Sequence, residues 1–162
     1  MSSSSIIPRR AALLGLFALA GCGFAPVHGG ASAARGRFDF DTSDTVAGFR
    51  MRAQLERRLG APQAPQYLLE VRQTAPRRPA AIRSSGVTVR YNLIGTATWR
   101  LRDVASGRVI DTGEVEGFTS YSGTGSTVAT QSAETDAAAR LSVTLADMIV
   151  TRMLVLLQDA PS

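Results

Sequence analysis

The most constraining feature of this sequence is a strict alternation of side chains over 16 residues, Val87–Arg102. One face reads Val87, Val89, Tyr91, Leu93, Gly95, Ala97, Trp99 and Leu101, and the other is polar or charged except for Ile94. A period of two over this length predicts a long β-strand with one packed face and one solvent-exposed face.

A second alternating segment, Arg108–Tyr121, follows a stretch of turn composition at Asp103–Gly107. The two alternating segments therefore predict an antiparallel hairpin in which the apolar faces agree. Folding about Ala105 would set Leu101 beside Val109, and Thr96 beside Glu114.

The remaining elements are predicted from shorter patterns. Segments 37–41 and 67–72 alternate as strands, and a helix is predicted from about Thr45 to Leu59, capped by Ser43 or Asp44. A long helix is predicted from about Ser132 to Leu157, with an apolar stripe of Ala138, Leu141, Leu145, Met148, Ile149 and Leu156. The order predicts an α+β two-layer sandwich, with two amphipathic helices packed on a four-stranded, largely antiparallel sheet.

Residues 73–86 are polar and contain two prolines, which argues against a regular central strand. This segment is predicted to be an exposed loop that carries Arg77, Arg78 and Arg83. Arg90 lies at the adjoining strand end.

The N-terminus has the pattern of an export signal. Arg9 and Arg10 precede a short apolar run and small residues, and Leu19-Ala20-Gly21-Cys22 is similar to a bacterial lipobox. We therefore expect residues 1–21 to be a lipoprotein signal peptide, 22–36 a tether lipidated at Cys22, and 37–158 a single α+β domain. The leader leaves the Sec and twin-arginine export routes both open.

Composition excludes several classes of active site. The chain has 162 residues with one Cys and one His, so it cannot form an intramolecular disulfide framework or a zinc site built from several Cys and His ligands. Neither a dinucleotide fingerprint nor a P-loop is present around Gly123. We therefore expect no enzymatic activity, no cofactor and no metal site.

Charge is segregated along the chain. Residues 71–102 contain seven Arg and no acid, whereas residues 103–136 contain six acids and one Arg. One interpretation is a solvated surface in which neighbouring Arg and acidic residues pair. The other is an anion-binding patch formed by Arg77, Arg78, Arg83 and Arg90. Because nucleic acid is not expected behind an export signal, the anion would be a lipid phosphate or an acidic partner surface.

Three segments together resemble the LPS-assembly lipoprotein LptE family. The first is Cys22-Gly-Phe24-Ala-Pro26-Val27, which is similar to the start of that family's mature chains. The others are the central strand, with Val89–Leu93 and Trp99–Leu101, and the closing helix between Ala133 and Met153. The resemblance spans nearly the whole mature chain.

This resemblance implies two helices on a four-stranded sheet. It also implies an outer-membrane lipoprotein that binds lipopolysaccharide and both plugs and helps to assemble the LptD barrel, facing the periplasm or lying in the barrel lumen. By position, the family's lipid A contacts resemble Arg77, Arg78, Arg83 and Arg90. The alternatives are a periplasmic accessory lipoprotein of a lipid-transport ABC system and another barrel-assembly subunit.

Overall fold

The structure is a computed structural model that describes residues 34–159 except 83, 85, 87, 124 and 125. The predicted signal peptide, Cys22 and Arg83 lie outside the described residues. The described elements are, in chain order, β1 (Phe38–Thr42), α1 (Val46–Leu59), β2 (Tyr67–Thr74), β3 (Arg77–Ile82), β4 (Thr88–Asp103), β5 (Val109–Ser122) and α2 (Thr127–Asp159).

The sheet is built around β4, the long alternating strand. Strand β5 pairs antiparallel with one edge of β4 along nearly its whole length. Strands β2 and β3 share the other edge, β2 against residues 96–103 and β3 against residues 88–93. Strand β1 then pairs with β2 in parallel. The fold is therefore the predicted α+β sandwich, with a mixed five-stranded sheet.

The extra strand is β3, in a segment predicted to be a loop. Tyr67 opposite Asp103 and Arg77 opposite Leu93 belong to one continuous register along β4. Pro76 joins the two halves, since its carbonyl accepts a 3.2 Å hydrogen bond from Ile94 N–H. The loop prediction was wrong because Pro79 lies in an edge strand, where a missing N–H is tolerated, and the register shifts just after it.

The hairpin of β4 and β5 has the predicted faces but not the predicted partners. Leu101 lies opposite Asp111 and Thr96 lies opposite Glu116, two residues further along β5 than predicted. The turn places Val109 opposite Arg102, one residue beyond the predicted register, and the register shift between Leu101 and Arg102 adds the second residue. Because a two-residue offset preserves the side-chain period, residues 111–122 keep their predicted faces. Val109 does not, since it lies opposite Arg102 on the exposed face and is 43% exposed.

Both helices cover the same face of the sheet. The predicted stripe of α1, Met51, Leu55 and Leu59, is buried against the sheet together with the apolar side of β4. Helix α1 is capped by Thr45 and not by the predicted Ser43 or Asp44, because the Thr45 hydroxyl accepts a 3.1 Å bond from Gly48 N–H.

Helix α2 begins five residues before the predicted start. Ser126 precedes its first turn and accepts a hydrogen bond from Ala129 N–H through its side chain. Leu141, Leu145 and Ile149 are buried as predicted, whereas Met148 is exposed. By length and composition alone α2 could cross a membrane, but these residues place its apolar side in the core of the domain.

Candidate functional site

The sheet face opposite the helices is exposed, and its two halves differ in character. In the half near the β3–β4 connection lie two arginines and three large apolar side chains, here named the tip face: Arg78, Ile82, Arg90, Ile94 and Phe118. Phe118 is 76% exposed, Ile82 62% and Ile94 43%. An exposed patch of this kind is typical of a binding surface.

The strand register places the members of the tip face side by side. Ile94 lies directly opposite Phe118, and Arg78 lies opposite Asn92, the β4 residue between Arg90 and Ile94. Residues opposite each other in an antiparallel pair have their Cβ atoms about 4.5–5.5 Å apart. Ile82 lies opposite Thr88, so the two arginines lie between the Ile94–Phe118 pair and Ile82.

The tip face carries positive charge without internal neutralisation. Among the described residues, no carboxylate lies within salt-bridge distance of Arg78 or Arg90, whereas Arg72 pairs with Asp41 at 2.8 Å and Arg102 with Glu70 at 3.2 Å. The pairing interpretation therefore holds for only part of the basic segment. Arg72 and Arg102 are paired internally, and Arg78 and Arg90 remain available for an external anion.

Arg77 lies on the opposite side of the sheet from Arg78, because neighbouring side chains alternate. Its Nη1 is 3.3 Å from Glu134 Oε2 on α2, and its guanidinium lies 4.9 Å from the centre of the Tyr91 ring. The Tyr121 hydroxyl and the Glu134 charge raise the pKa of Arg77. Arg77 thus joins the sheet to α2, so the structure does not bring the predicted arginines together on one surface.

Tyr121 completes this contact beneath the start of α2. Its ring stacks on Tyr91 with centres 5.3 Å apart, and its side chain is buried. Burial raises the pKa of the Tyr121 phenol, so this group stays neutral at physiological pH. The Tyr91–Tyr121 pair holds the helix layer against the part of the sheet that carries the tip face.

The other half of the exposed face has mixed charge. A shallow groove of about 630 Å³ lies there, lined by Glu70, Arg72, Thr98, Trp99, Arg100, Thr112, Gly113 and Glu114. Glu114 and Glu116 are both exposed on this face. The described residues contain no group of three or more His, Cys, Asp or Glu side chains placed to hold a metal ion.

Sequence reasoning missed the apolar part of the tip face. Ile94 interrupts the polar side of the β4 alternation, and Phe118 falls on the polar side of β5 beside Glu116. These two exceptions to the alternation were the available signal. Their direct pairing depends on the observed register and so required the structure.

The fold and the site define a small α+β domain whose distinctive surface is an exposed face that combines arginines with large apolar side chains. The chain belongs to the LptE family, because that family's model, described as lipopolysaccharide-assembly, matches residues 37–153. It is therefore a member of a family of lipopolysaccharide-assembly lipoproteins, as the sequence resemblance predicted.

Solved structures have the same fold. A candidate lipoprotein from Caulobacter crescentus CB15 aligns with a TM-score of 0.66 at 20% identity, over 81% of this chain and 98% of that one. The rare lipoprotein B from Shewanella oneidensis aligns with a TM-score of 0.57 at 14% identity, over 74% and 94% of the two chains. A minor lipoprotein from Acinetobacter baumannii gives 0.57 at 16%, over 75% and 92%. No curated protein sequence matches the chain.

Proposed function

We propose that this protein is an outer-membrane lipoprotein, anchored through acylated Cys22, that binds lipopolysaccharide and assembles with an LptD-type barrel. The family match supports the role in lipopolysaccharide assembly. The observation that carries the binding proposal is the tip face, where two arginines without a described acidic partner border three exposed apolar side chains.

The chemistry of the tip face suits lipid A, which combines phosphate groups with acyl chains. A guanidinium binds phosphate by two parallel, charge-assisted hydrogen bonds. In this proposal Arg78 and Arg90 bind the phosphates, and Phe118, Ile94 and Ile82 contact the first methylene groups of the acyl chains. The arginines would compete with the divalent cations that bridge these lipids in aggregates. The role is non-catalytic.

The position of the tip face is compatible with an anchored protein. The N-terminal segment joins the domain near the end of β4 at Asp103, because Tyr67 N–H donates to Arg37 O and Tyr67 lies opposite Asp103. Arg90 is near the other end of this strand, about 40 Å away at 3.3 Å per residue. The proposed lipid site therefore lies far from the point at which the N-terminal segment enters the domain.

Binding is tested by replacing both proposed phosphate ligands. Arg78→Glu with Arg90→Glu should weaken binding of purified lipopolysaccharide at least tenfold, because two attractive charges become repulsive. Glu substitution of Arg108 and Arg140, which are exposed and have no ion pair with a described residue, is the control for the same change in net charge. Equal affinities of the two double variants would reject the assignment of the tip face.

Assembly with the barrel is tested separately by mild extraction of the membrane. Extraction in a stable complex with a large outer-membrane barrel is the expected result. Co-extraction with an inner-membrane permease would instead support the accessory-lipoprotein alternative, and a barrel complex without lipopolysaccharide binding would support a purely structural assembly subunit.

A further inference from the structure

We propose that the end of the domain opposite the tip face binds the anionic headgroups of the bilayer in which the protein is anchored. The ligand is the phosphodiester of an anionic glycerophospholipid, which is a different lipid from the one assigned to the tip face. This inference depends on the proposed acylation of Cys22. The surface consists of residues 34–37 and 57–67, here named the anchor-end surface.

Backbone hydrogen bonds join the two segments of the anchor-end surface. Gly36 N–H donates to Leu59 O at 3.0 Å, and Gly36 O accepts from Gln63 N–H at 3.1 Å and Ala64 N–H at 3.2 Å. Ala34 is fully buried in the core. The chain therefore enters the folded domain at this surface, and any anchor upstream pulls the domain towards the membrane from here.

The anchor-end surface is basic throughout. It contains Arg35, Arg37, Arg57 and Arg58 and no Asp or Glu. Arg37 donates to the Gln66 side chain, and Arg58 lies 3.7 Å from Asp147. Arg35 and Arg57 are exposed, and no carboxylate of the described residues lies within salt-bridge distance of either. These two guanidinium groups are therefore available to an external phosphate.

The acids that border this surface are already bound to other groups. Glu56 accepts from Arg52 at 2.8 Å. Asp147 accepts from the Gln54 amide at 2.8 Å, and Asp103 accepts from the hydroxyl of Ser106 at 2.6 Å. Glu56 is offset by the charge of Arg52 and Asp147 by that of Arg58, whereas the neutral Ser106 hydroxyl leaves the charge of Asp103 in place. Arg35, Arg37 and Arg57 outnumber that one carboxylate, so this end of the domain has a net positive charge.

The distance to Cys22 favours a bilayer as the ligand. The 12 residues from Cys22 to Ala34 span at most about 40 Å when extended and about 20 Å on average as a flexible chain. Lipid phosphates are thus always within reach of this surface. Val104, which is 51% exposed, donates its N–H to Gln66 O at 2.9 Å and adds an apolar side chain at the same end.

The test uses the acylated protein inserted into vesicles through its own anchor. The sequence has one Cys, which acylation blocks, so an introduced Ala61→Cys is a unique fluorophore site on the anchor-end surface. Quenching by nitroxide-labelled headgroups is compared between phosphatidylcholine vesicles and vesicles that also contain phosphatidylglycerol. The same label at Ser120→Cys, beside the tip face, is the positional control.

We expect stronger quenching at position 61 in vesicles that contain phosphatidylglycerol than in pure phosphatidylcholine vesicles. High salt should abolish this difference, because exposed charges are then screened. The label at position 120 should show no such difference. Arg35→Gln with Arg57→Gln should lower the docking equilibrium roughly 30-fold, since each basic residue near an anionic surface contributes about fivefold. Arg78→Gln with Arg90→Gln, which removes the same charge at the tip face, should leave the quenching at position 61 unchanged.

Quenching at position 61 that is equal in both vesicles, or unchanged in the Arg35/Arg57 variant, would overturn the inference. A protein that does not stay with the vesicles at all would instead contradict acylation at Cys22. Loss or retention of lipopolysaccharide binding is measured in a separate assay, so a failure of the proposed function is distinguishable from a failure of this inference.

Discussion

Gly113 and Gly117 lie on the helix-facing side of β5, and their neighbours leave them different amounts of space. A Cβ at Gly113 would lie 2.6 Å from the Trp99 ring, whereas a Cβ at Gly117 would lie 3.4 Å from Leu145 Cδ2. Gly113→Ala should therefore lower the free energy of unfolding by about 1–3 kcal/mol, a typical cost of overpacking. Gly117→Ala should change the free energy of unfolding by less than about 1 kcal/mol, because the added methyl group makes ordinary contacts and alanine loses less backbone entropy on folding than glycine.

Denaturant titration of both variants measures this difference. Equal destabilisation of the two variants would show that Trp99 moves aside at little cost and that the close contact does not constrain β5.

Asp103 stabilises the turn between β4 and β5 through its ionised carboxylate. The Ser106 hydroxyl and the Ser106 N–H both donate to it, and these bonds lower the pKa of Asp103. The unfolded chain therefore binds more protons than the folded chain just below the ordinary Asp pKa of about 3.9. The stabilisation of the folded state by the ionised Asp103 carboxylate is present above that pH. It is lost as the pH falls through the lower pKa of the folded state.

Ser106→Ala removes the hydroxyl donor, so the midpoint of Asp103 ionisation in the folded protein should move upward. Titration of the side-chain carboxyl carbon by NMR measures the midpoint directly. An unchanged midpoint would mean that the Ser106 hydroxyl does not stabilise the ionised form.

At the scale of elements, Arg77 connects β3 to the first part of α2. Arg77→Glu would place a carboxylate beside Glu134 and remove the cation from the Tyr91 ring, so it should lower the thermal midpoint of unfolding. Arg78→Glu changes the next residue along, on the exposed face, and should leave the midpoint nearly unchanged. Equal midpoints, measured by circular dichroism, would contradict the role of Arg77 in positioning α2.

The elements with clear periodicity were predictable from sequence. The alternation of β4 and the apolar stripe of α1 correctly predicted which face of each element is buried, because a buried face is made of apolar residues. The start of α2 was missed because its first turns are exposed and so carry no apolar stripe, as Val128 illustrates at 74% exposure. The hairpin register was missed because the one-residue shift falls at Val109 and Ile110, two adjacent apolar residues that are both exposed and carry no polar–apolar alternation.

The candidate site was only partly predictable for a related reason. Sequence identified Arg78 and Arg90 through the charge block, but placed Arg77 in the same group because a loop has no defined faces. Once that segment pairs as β3, Arg77 and Arg78 fall on opposite sides of the sheet. The side of the sheet on which each arginine lies depends on β3, and this strand was not predicted because it contains a proline.

At the scale of the whole molecule, the two proposed lipid-binding surfaces lie at opposite ends of β4. The tip face combines arginines with large apolar side chains, whereas the anchor-end surface combines arginines with small and amide side chains. In the proposed arrangement the anchor-end surface contacts the bilayer, and the lipopolysaccharide site on the tip face lies at the other end of the domain. The sheet of the LptE-family fold sets the distance between these ends.

The most direct test of the central claim, that the tip face is the lipopolysaccharide site, is site-specific photo-crosslinking. A photoreactive amino acid replaces Phe118 on the tip face or Phe49 on the outside of α1, both of which are highly exposed at 76% and 62%. The account predicts covalent adducts with lipopolysaccharide at position 118 and none above background at position 49. Adducts of equal yield at both positions, or adducts at position 49 alone, would contradict it.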